Sequence, residues 1–333
     1  MNSRKMENNP VDLIANKIKE SRKIVITSHL RPDGDSICTG LALRSMLENM
    51  GKEVKIINQD NTPSPFDTIH DADKIKIGQI PPNEFDVVIL LECANVGRSG
   101  QNNLDHTYKI NIDHHHSNDY YADINWVVPA SSAVAELVLL LGEQLKIPFT
   151  PEISNHLYCA IVSDTGSFQF SNTNAETFEA CSKLVKYGAN PTKISDFLFN
   201  NNLPEKIKLL GKVLSTVKIN EKGNIAVIAM FKDYLDSLNI KEIDTEDITS
   251  LARSIRGVEI VMFFKEINSH TFRVSLRSKD DACAACVAEH FGGGGHLNAA
   301  GFTAEGKYEN LIKELPLTVE QLLKQDYKKK KHH

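Results

Sequence analysis

Apolar residues follow two different patterns in the first half of this 333-residue chain. Short runs that are rich in β-branched residues and end at polar residues predict buried strands. These runs cover residues 24–27, 54–57, 87–91 and 110–112. Longer stretches with a helical spacing of apolar positions predict helices. They cover about residues 36–49, 131–145, 153–162 and 175–186. Strands that alternate with helices are typical of βαβ units around a parallel sheet.

The pattern changes near residues 190–211, where Pro191 and Pro204 punctuate two short helical stretches. The second half then predicts a separate, mixed sheet, with strands at residues 217–219, 225–230, 259–266 and 271–277 and a helix at 282–290. We therefore expect an α/β protein with four parts. These are an N-terminal parallel-sheet domain at residues 1–190, a helical linker at 191–215, a smaller C-terminal mixed α/β domain at 216–325 and a basic tail at 326–333.

Composition and charge narrow the classes of function. Hydrophobic residues make up 41% of the chain and charged residues 24%, as in ordinary folded proteins. The formal charge of −5 argues against a protein that coats long nucleic acid, but it allows a nucleotide or short oligonucleotide in a locally basic pocket. No apolar run approaches the roughly 18 residues of a membrane span, and the N-terminus lacks the apolar region of a signal peptide. We therefore expect a cytoplasmic protein without a membrane partner.

The cysteines predict no disulfide framework, because the chain has only six and they are scattered. Cys283 and Cys286 form a lone Cys-x-x-Cys pair within a predicted helix. A zinc site of this kind would need a second pair, so we interpret the two residues as core packing.

Two carboxylates and a histidine are crowded into the seven residues that follow the first predicted strand: His29, Asp33 and Asp35. Carboxylates this close repel each other unless a cation neutralises them. The carboxyl ends of strands are also where open α/β sheets bind ligands. We interpret the three residues as metal ligands. The alternative is an ordinary capped helix start, with Asp35 or Ser36 as the N-cap.

A second motif, Asp113-His114-His115-His116, directly follows another predicted strand. A lone histidine at such a position is more often structural. Several imidazoles beside an aspartate at a strand end indicate binding of a divalent metal or a phosphate. We assign that role to His114 and His115, and we expect His116 to be an ordinary surface residue.

Two further carboxylates stand at the ends of predicted elements: Glu92 follows the strand at 87–91, and Asp164 follows an apolar run. Asp164 could also serve merely as a cap. Oxygen and imidazole donors without a cysteine cluster favour Mn²⁺, Mg²⁺ or Co²⁺ over structural Zn²⁺. Four carboxylates and two histidines are enough for two ions. Such a pair can deprotonate a bridging water and clamp a phosphoryl oxygen, which is the chemistry of phosphoester hydrolysis.

Four consecutive glycines at residues 292–295 precede His296 in the second domain. Glycines let backbone N–H groups converge on an anion, and the alternative is a flexible linker. The small residues at 299–301 suit a tight helix or turn. Arg277 ends a predicted strand and adds a cation whose fork geometry suits phosphate. The candidate substrate-binding residues are Arg98, Arg277, Gly293, Gly294, Gly295 and His296.

With these motifs the chain resembles the DHH phosphoesterase superfamily, and more narrowly its DHH–DHHA1 group of nanoRNases and bifunctional oligoribonuclease and pAp phosphatase proteins. The resemblance extends from residue 24 to about residue 315. It rests on the motifs His29-x-x-Pro32-Asp33-Gly34-Asp35, Asp113-His114-His115, residues 163–168, and residues 292–296 followed by 299–301. It implies a DHH catalytic domain followed by a DHHA1 substrate-binding domain. The implied substrates are short oligonucleotides, linear dinucleotides and pAp.

The resemblance also implies a centre of two Mn²⁺ ions, with Mg²⁺ or Co²⁺ as the other candidates. The implied ligands are His29 and Asp33 for one ion, Asp35 and His114 for the other, and Asp164 and Glu92 for both. One position departs from the family, which usually has aspartate where this chain has Glu92. Glutamate is one methylene longer, so its carboxylate has to take a different position to contact both ions.

The other implied roles belong to catalysis and substrate binding. His115, with Asp113 as the second catalytic residue, would lie on the scissile phosphate and stabilise charge or deliver a proton. The glycine segment, His296 and Arg277 would hold the terminal nucleotide across an interdomain cleft. The expected partner is this nucleotide substrate, with a homodimer as a candidate assembly and no long nucleic acid.

Several alternatives stay open at this point. A family II pyrophosphatase shares the N-terminal motifs but lacks the glycine–histidine loop. A RecJ-like exonuclease is normally longer, and a cyclic-dinucleotide phosphodiesterase usually carries membrane and sensor segments. The chain could still act on another small phosphate substrate, such as pyrophosphate or a cyclic dinucleotide. It could also be a nucleotide-binding regulator with a decayed site, for which Glu92 is the only support in the sequence.

Overall fold

The structure is a computed structural model that describes residues 9–240, 245–279 and 282–330. The chain forms two compact units, divided between Asn201 and Asn202. Each unit contains its own six-stranded sheet. No helix in the described ranges is long and apolar enough to cross a membrane.

The first unit is built on a parallel sheet with the strand order β3-β2-β1-β4-β5-β6. Its strands are β1 (Lys23–Ser28), β2 (Glu53–Asn58), β3 (Ile75–Ile77), β4 (Val87–Leu91), β5 (Tyr108–Asp113) and β6 (Ile124–Val127). The four strands expected from β-branched runs are confirmed as β1, β2, β4 and β5. The strands β3 and β6 have only three and four residues and are only partly buried, so they leave too short a pattern to be predicted.

The α-helices of this unit contribute to one hydrophobic core with one face of the sheet. In the described part of this unit they are α1 (Pro10–Glu20), α2 (Gly34–Asn49), α3 (Val134–Leu145), α4 (Pro151–Asp164), α5 (Ala175–Lys186) and α6 (Pro191–Phe199). The four helices expected between residues 36 and 186 are confirmed as α2 to α5. The helix α1 is an addition, and it buries Ile14 and Ile18, which lie one turn apart.

The topology brings the ends of three neighbouring strands to one place. The strand β1 pairs with β2 on one side and with β4 on the other, and β5 lies beside β4. The strand order therefore reverses at β1, and ligands of open parallel sheets bind at the carboxyl ends next to such a reversal. His29 follows β1, Glu92 follows β4 and His114 follows β5.

The second unit has a mixed sheet with the order β11-β12-β10-β9-β8-β7, in which only β8 and β9 are parallel. Its strands are β7 (Lys218–Ile219), β8 (Ile225–Met230), β9 (Ile260–Asn268), β10 (Thr271–Ser278), β11 (Gly294–His296) and β12 (Ala299–Glu305). Its described helices are α7 (Pro204–Leu214), α8 (Lys232–Ser237), α9 (Glu246–Arg253), α10 (Ala284–His290) and α11 (Tyr308–Lys330). The α/β class and the mixed second sheet are confirmed.

Two expectations for this unit are wrong. Residues 299–301 suggest a tight helix or turn, but they begin strand β12, and the last two glycines of the segment form the neighbouring strand β11 with His296. Cys283 and Cys286 suggest core packing, but they form a disulfide, with Cys283 buried and Cys286 exposed. The two cysteines are only three positions apart, so their bridge is local and belongs to no framework of cysteines spread along the chain.

Candidate metal centre

The loop after β1 carries His29 and leads into α2. The N-cap of α2 is Asp33, whose Oδ1 accepts the N–H of Ser36 at 3.1 Å, while Ser36 Oγ accepts the N–H of Asp33 at 3.0 Å. The alternative that Asp35 or Ser36 is the N-cap is therefore wrong. Capping leaves Asp33 Oδ2 available, and it lies 3.5 Å from His29 Nε2. One oxygen of Asp33 thus caps the helix, and the other remains available to a metal ion.

Gly34 lets the start of α2 approach the end of α4. A Cβ at this position would lie 2.2 Å from the Oγ of Ser163 and 2.4 Å from the ring of Phe66. Ser163 precedes Asp164, the last residue of α4. The absence of a side chain at Gly34 therefore brings the two carboxylate-bearing helix ends together.

Glu92 lies at the centre of the cluster. It directly follows β4, adopts a left-handed backbone with φ of 57° and is 1% exposed. Its Oε2 lies 3.6 Å from His29 Nε2, and its Oε1 lies 3.4 Å from His114 Nε2. Oε2 is buried and has no hydrogen-bond partner among the described residues. A buried carboxylate oxygen without a donor fits a site for a cation.

His114 is oriented by the backbone. Its Nδ1 lies 3.0 Å from the carbonyl oxygen of Ser131, which leaves Nε2 to face Glu92 and the Oδ2 of Asp164, the latter at 3.7 Å. Bonding of the second ring nitrogen to a carbonyl is the usual way in which a metal-binding histidine is held. The sequence does not reveal Ser131 as the partner.

The donor atoms form two groups that share one residue. The groups are Asp35, Glu92, His114 and Asp164, and His29, Asp33 and Glu92; within each group the donors lie within 4.8 Å of one another. All six metal ligands expected from the sequence are therefore together, with Glu92 in both groups and Asp164 in one. The mixture of carboxylates and imidazoles fits two divalent cations of the first transition row or Mg²⁺.

The electrostatics of the cluster call for positive charge. Burial, together with Asp33 and Asp35, raises the pKa of Glu92 well above its usual range. Burial, followed by repulsion from Asp35, raises the pKa of Asp164 to about 7. Burial opposes the charged form of His114, but Glu92 outweighs it and raises the pKa of that imidazole to about 10. Protons therefore neutralise the carboxylates when no cation does so.

The start of α3 supports Asp35. The N–H groups of Val134 and Ala135 donate to its two oxygens at 2.6 Å and 3.2 Å, and Thr39 Oγ1 donates at 2.7 Å. The positive end of a helix stabilises a carboxylate in this way. These amides come from a helix about 100 residues further along the chain, so no local motif indicates them.

His115 forms a dyad with Asp113 beside the cluster. Its Nδ1 lies 2.7 Å from Asp113 Oδ1, and its ring is 5.2 Å from that of His114. Asp113 is completely buried. Burial alone would raise the pKa of Asp113, but hydrogen bonds from His115 and Asn118 hold that pKa below its usual range. His116 is exposed, as expected.

Arg98 lies in the turn after β4, near the cluster in the fold. Its carbonyl oxygen accepts the N–H of Leu30 at 2.6 Å, which ties this turn to the loop of His29. The residue is exposed. Its guanidinium is a cation on the loops that carry the candidate metal ligands.

The substrate-binding candidates of the second unit lie on neighbouring strands. Arg277 of β10 stands opposite Ala299 of β12, and Ala299 stands opposite His296 of β11, so the three residues occupy one row of the sheet. Arg277 is half-buried, and only the backbone of His296 is described.

The glycines serve close strand packing. A Cβ at Gly293 would lie 2.1 Å from the carbonyl oxygen of Gly301, and one at Gly295 would lie 2.5 Å from that of Ala299. The N–H of Gly293 also donates to Ala288 at the end of α10. This N–H is therefore not available to an anion, in contrast to the expected cradle.

Comparison with known proteins identifies the family. The model described as the DHH family, N-terminal domain, matches residues 23–161, and the model described as the DHHA1 domain matches residues 222–325. A protein of Thermus thermophilus named bifunctional oligoribonuclease and PAP phosphatase NrnA is 30% identical over 283 residues, which cover 85% of this chain and 84% of that protein. The chain therefore belongs to the DHH family, among members that also carry a DHHA1 domain.

Two further relatives span most of the chain. A Streptococcus mutans protein named probable bifunctional oligoribonuclease and PAP phosphatase NrnA is 29% identical over 88% of this chain and 93% of its own length. The crystal structure of an exopolyphosphatase-related protein from Bacteroides fragilis superimposes with a TM-score of 0.84 at 26% identity, covering 96% of this chain and 97% of that one.

Proposed function

We propose that this protein is a metal-dependent hydrolase that cleaves phosphate esters of short oligonucleotides and of pAp. The observation that carries the proposal is the shared position of Glu92 between two groups of metal donors, with the His115–Asp113 dyad beside them. The substrate class is supported by the relatives named bifunctional oligoribonuclease and PAP phosphatase. The net charge of −5 favours short substrates over long nucleic acid.

We propose two Mn²⁺ as the resident ions, with Mg²⁺ or Co²⁺ as substitutes. His29, Asp33 and Glu92 would hold one ion, and Asp35, Glu92, His114 and Asp164 would hold the other. When bound, such ions supply charge neutralisation at the phosphate and activation of water. The protein keeps Asp35 and His114 in fixed orientations through α3 and the Ser131 carbonyl.

The proposed role of His115 is to stabilise charge on the scissile phosphate or to give a proton to the leaving oxygen. Its Nδ1 is engaged by Asp113, so Nε2 is the nitrogen that serves the substrate. Arg98, Arg277 and the strand that carries His296 are proposed contacts of the non-reacting part of the substrate. Such contacts contribute binding energy and position the reacting phosphate.

The decisive experiment is a hydrolysis panel with the metal-saturated protein. The substrates are pAp, a dinucleotide, oligonucleotides of about five and several dozen nucleotides, a cyclic dinucleotide and pyrophosphate. We expect turnover of pAp, the dinucleotide and the pentanucleotide, little turnover of the long chain, and complete loss with excess EDTA. The matched control is His115→Ala, which should lower kcat by roughly 10²–10⁴-fold while the metals stay bound.

Other outcomes of this panel would change the proposed function. Hydrolysis of pyrophosphate alone, or of the cyclic dinucleotide alone, would replace the proposed substrates and keep the metal centre. Full activity in EDTA would refute the metal-dependent mechanism. Tight binding of nucleotides without turnover of any substrate would favour the regulator with a decayed site.

A further inference from the structure

Two polar side chains lie on an otherwise apolar face of β5. Asn111 and Asp113 alternate with Ile110 and Ile112, so they lie on the opposite face of the strand. Both are completely buried, and the cluster on this face includes Leu90. A buried amide or carboxylate is costly unless its polar atoms are hydrogen-bonded. Asn111 and Asp113 therefore need hydrogen-bond partners within the protein.

Asn118 supplies those partners from the loop after β5. Its Nδ2 donates to Asp113 Oδ2 at 2.6 Å and to Asn111 Oδ1 at 2.7 Å. The Nδ2 of Asn111 in turn donates to the carbonyl oxygen of Cys93 at 3.1 Å. Asn118 is 8% exposed, so water does not compete strongly for these bonds.

The backbone determines which end of the Asn118 amide faces Asp113. The Oδ1 of Asn118 accepts the N–H of Tyr120 at 2.8 Å. The N–H of Asn118 itself donates to the carbonyl oxygen of His115 at 3.3 Å, which closes the turn that contains both residues. Because a backbone N–H can only donate, Oδ1 must lie on that side, and the NH₂ group must point to the carboxylate.

The carboxylate of Asp113 then has donors on both oxygens. Oδ2 receives the amide of Asn118, and Oδ1 receives the backbone N–H groups of His114 and His115 at 2.8 Å and 3.2 Å. With these donors on it, Asp113 acts only as an acceptor. Its 2.7 Å contact with His115 Nδ1 is therefore an N–H···O bond, which leaves Nε2 as the outward nitrogen of the ring.

We propose that Asn118 is a positioning residue for His115, acting through Asp113. The inference rests on the proposed catalytic role of His115. Asn118 holds the Asp113 carboxylate in one rotamer, and that carboxylate holds the imidazole in one tautomer and one orientation. In the part of the chain that the structure describes, the hydrogen bonds of the Asn118 side chain go to Cys93, Asn111, Asp113 and Tyr120, and none goes to a metal donor or to the ring of His115.

The test is a double-mutant cycle with Asn118→Leu and His115→Ala, measured at saturating Mn²⁺ with pAp. Asn118→Leu keeps the approximate size of the side chain and removes its donors. We expect kcat to fall roughly 10- to 100-fold, the range seen when a partner behind a functional residue is lost. We expect KM to change little and the bound metal to stay constant. In the His115→Ala background, Asn118→Leu should cause no further loss of kcat.

Asn125→Leu is the matched control. Asn125 is half-buried on the adjacent strand β6, and its amide bonds to other described residues go to the backbone of Ala122. Its loss perturbs the same region without reaching Asp113, so kcat should stay near that of the wild type. If Asn118→Leu destabilises the fold, Asn118→Ala replaces it. An undiminished effect of Asn118→Leu in the His115→Ala background, or loss of metal on Asn118→Leu, would overturn the inference.

A spectroscopic arm separates this inference from the proposed function. The ring ¹⁵N shifts of His115 are measured in the Mg²⁺-loaded protein, because Mg²⁺ is diamagnetic. We expect a single Nδ1–H form in the wild type and in Asn125→Leu, and a mixture of forms in Asn118→Leu. Unchanged His115 signals in Asn118→Leu refute positioning. A wild-type protein without hydrolase activity refutes the proposed function, and the ring signals then still decide the role of Asn118.

Discussion

Glu92 is a buried carboxylate that lies between the two groups of candidate metal donors. It is completely surrounded by protein, it touches both His29 and His114, and one of its oxygens has no donor among the described residues. Its burial near Asp33 and Asp35 disfavours its negative charge. The longer side chain still reaches both donor groups, because it leaves β4 from a left-handed backbone position.

We expect Glu92→Gln to lower metal affinity by at least about 100-fold, beyond the range for residues that only support a ligand. The substitution keeps the size and removes the charge that both donor groups share. Glu92→Asp is the matched control: it keeps the charge and should retain much more affinity. Equilibrium dialysis with metal analysis measures both. Binding of two ions by Glu92→Gln with wild-type affinity would show that Glu92 is not a shared ligand.

At the level of elements, the start of α3 supports the candidate metal centre. Its first two N–H groups bind Asp35, and the carbonyl of Ser131, just before the helix, holds His114. One helix end thereby orients two candidate ligands, Asp35 of α2 and His114 of the loop after β5. Rigid elements position ligands more accurately than loops do.

Val134→Pro tests this helix end. Proline is well tolerated at the first position of a helix, and Ala133 before it has the extended backbone that proline requires. The substitution removes the N–H that binds Asp35, so we expect metal affinity to fall about 10-fold. Val134→Ala keeps that N–H and removes most of the side chain. Equal losses in the two variants would mean that packing, not the N–H, is responsible.

For the whole molecule, metal binding and stability are linked through protons. Asp35 and Glu92 have raised pKa values in the folded protein, and that of Asp164 is about 7. A raised carboxyl pKa stabilises the metal-free fold at low pH, below the ordinary value of the unfolded chain. This stability is lost as pH rises through the folded pKa. A metal ion replaces those protons, so its binding strengthens with pH.

We therefore expect the rise in Tm caused by Mg²⁺ or Mn²⁺ to increase from pH 5.5 to pH 8. At pH values where the metal-free site still holds a proton that the metal displaces, metal affinity rises about tenfold per pH unit for that proton. A gain of about 1 kcal/mol in stability corresponds to a rise of roughly 2–4 °C in Tm for a unit of this size. Thermal denaturation with metal and with EDTA measures the difference. Asp164→Asn should flatten the dependence. A metal-induced shift that is constant over this range would contradict the proton linkage.

The contribution of the second unit to substrate binding is tested with one variant and two substrates. Arg277→Gln should raise KM for pAp about 10-fold, because a charge-assisted bond to the non-reacting part of the substrate is lost. A small aryl phosphodiester, which has no second phosphate, should be hydrolysed almost as before. Arg273→Gln, an exposed residue on the same strand, is the control and should change neither. Equal loss on both substrates would indicate that Arg277 supports the fold instead.

The sequence by itself determines the central strands and the donors. Buried parallel strands need continuous β-branched runs, and β1, β2, β4 and β5 are visible for that reason. Candidate metal-binding residues have a restricted chemistry. Five of them follow β1, β4 or β5 and Asp164 ends α4, so all six candidate donors can be named from their type and position. His116, without such a position, is correctly expected at the surface.

Only the tertiary structure decided how these residues are held. The short strands β3, β6 and β11 owe their pairing to neighbours, because three or four residues carry no periodicity of their own. The N–H groups of α3 and the Ser131 carbonyl act through the backbone, which is the same in every residue. The amide of Asn118 reaches Asp113 because a turn closed by the Asn118 N–H and the His115 carbonyl follows β5. The sequence states the chemical type of each side chain directly. The orientation of each side chain depends on contacts that exist only in the folded chain.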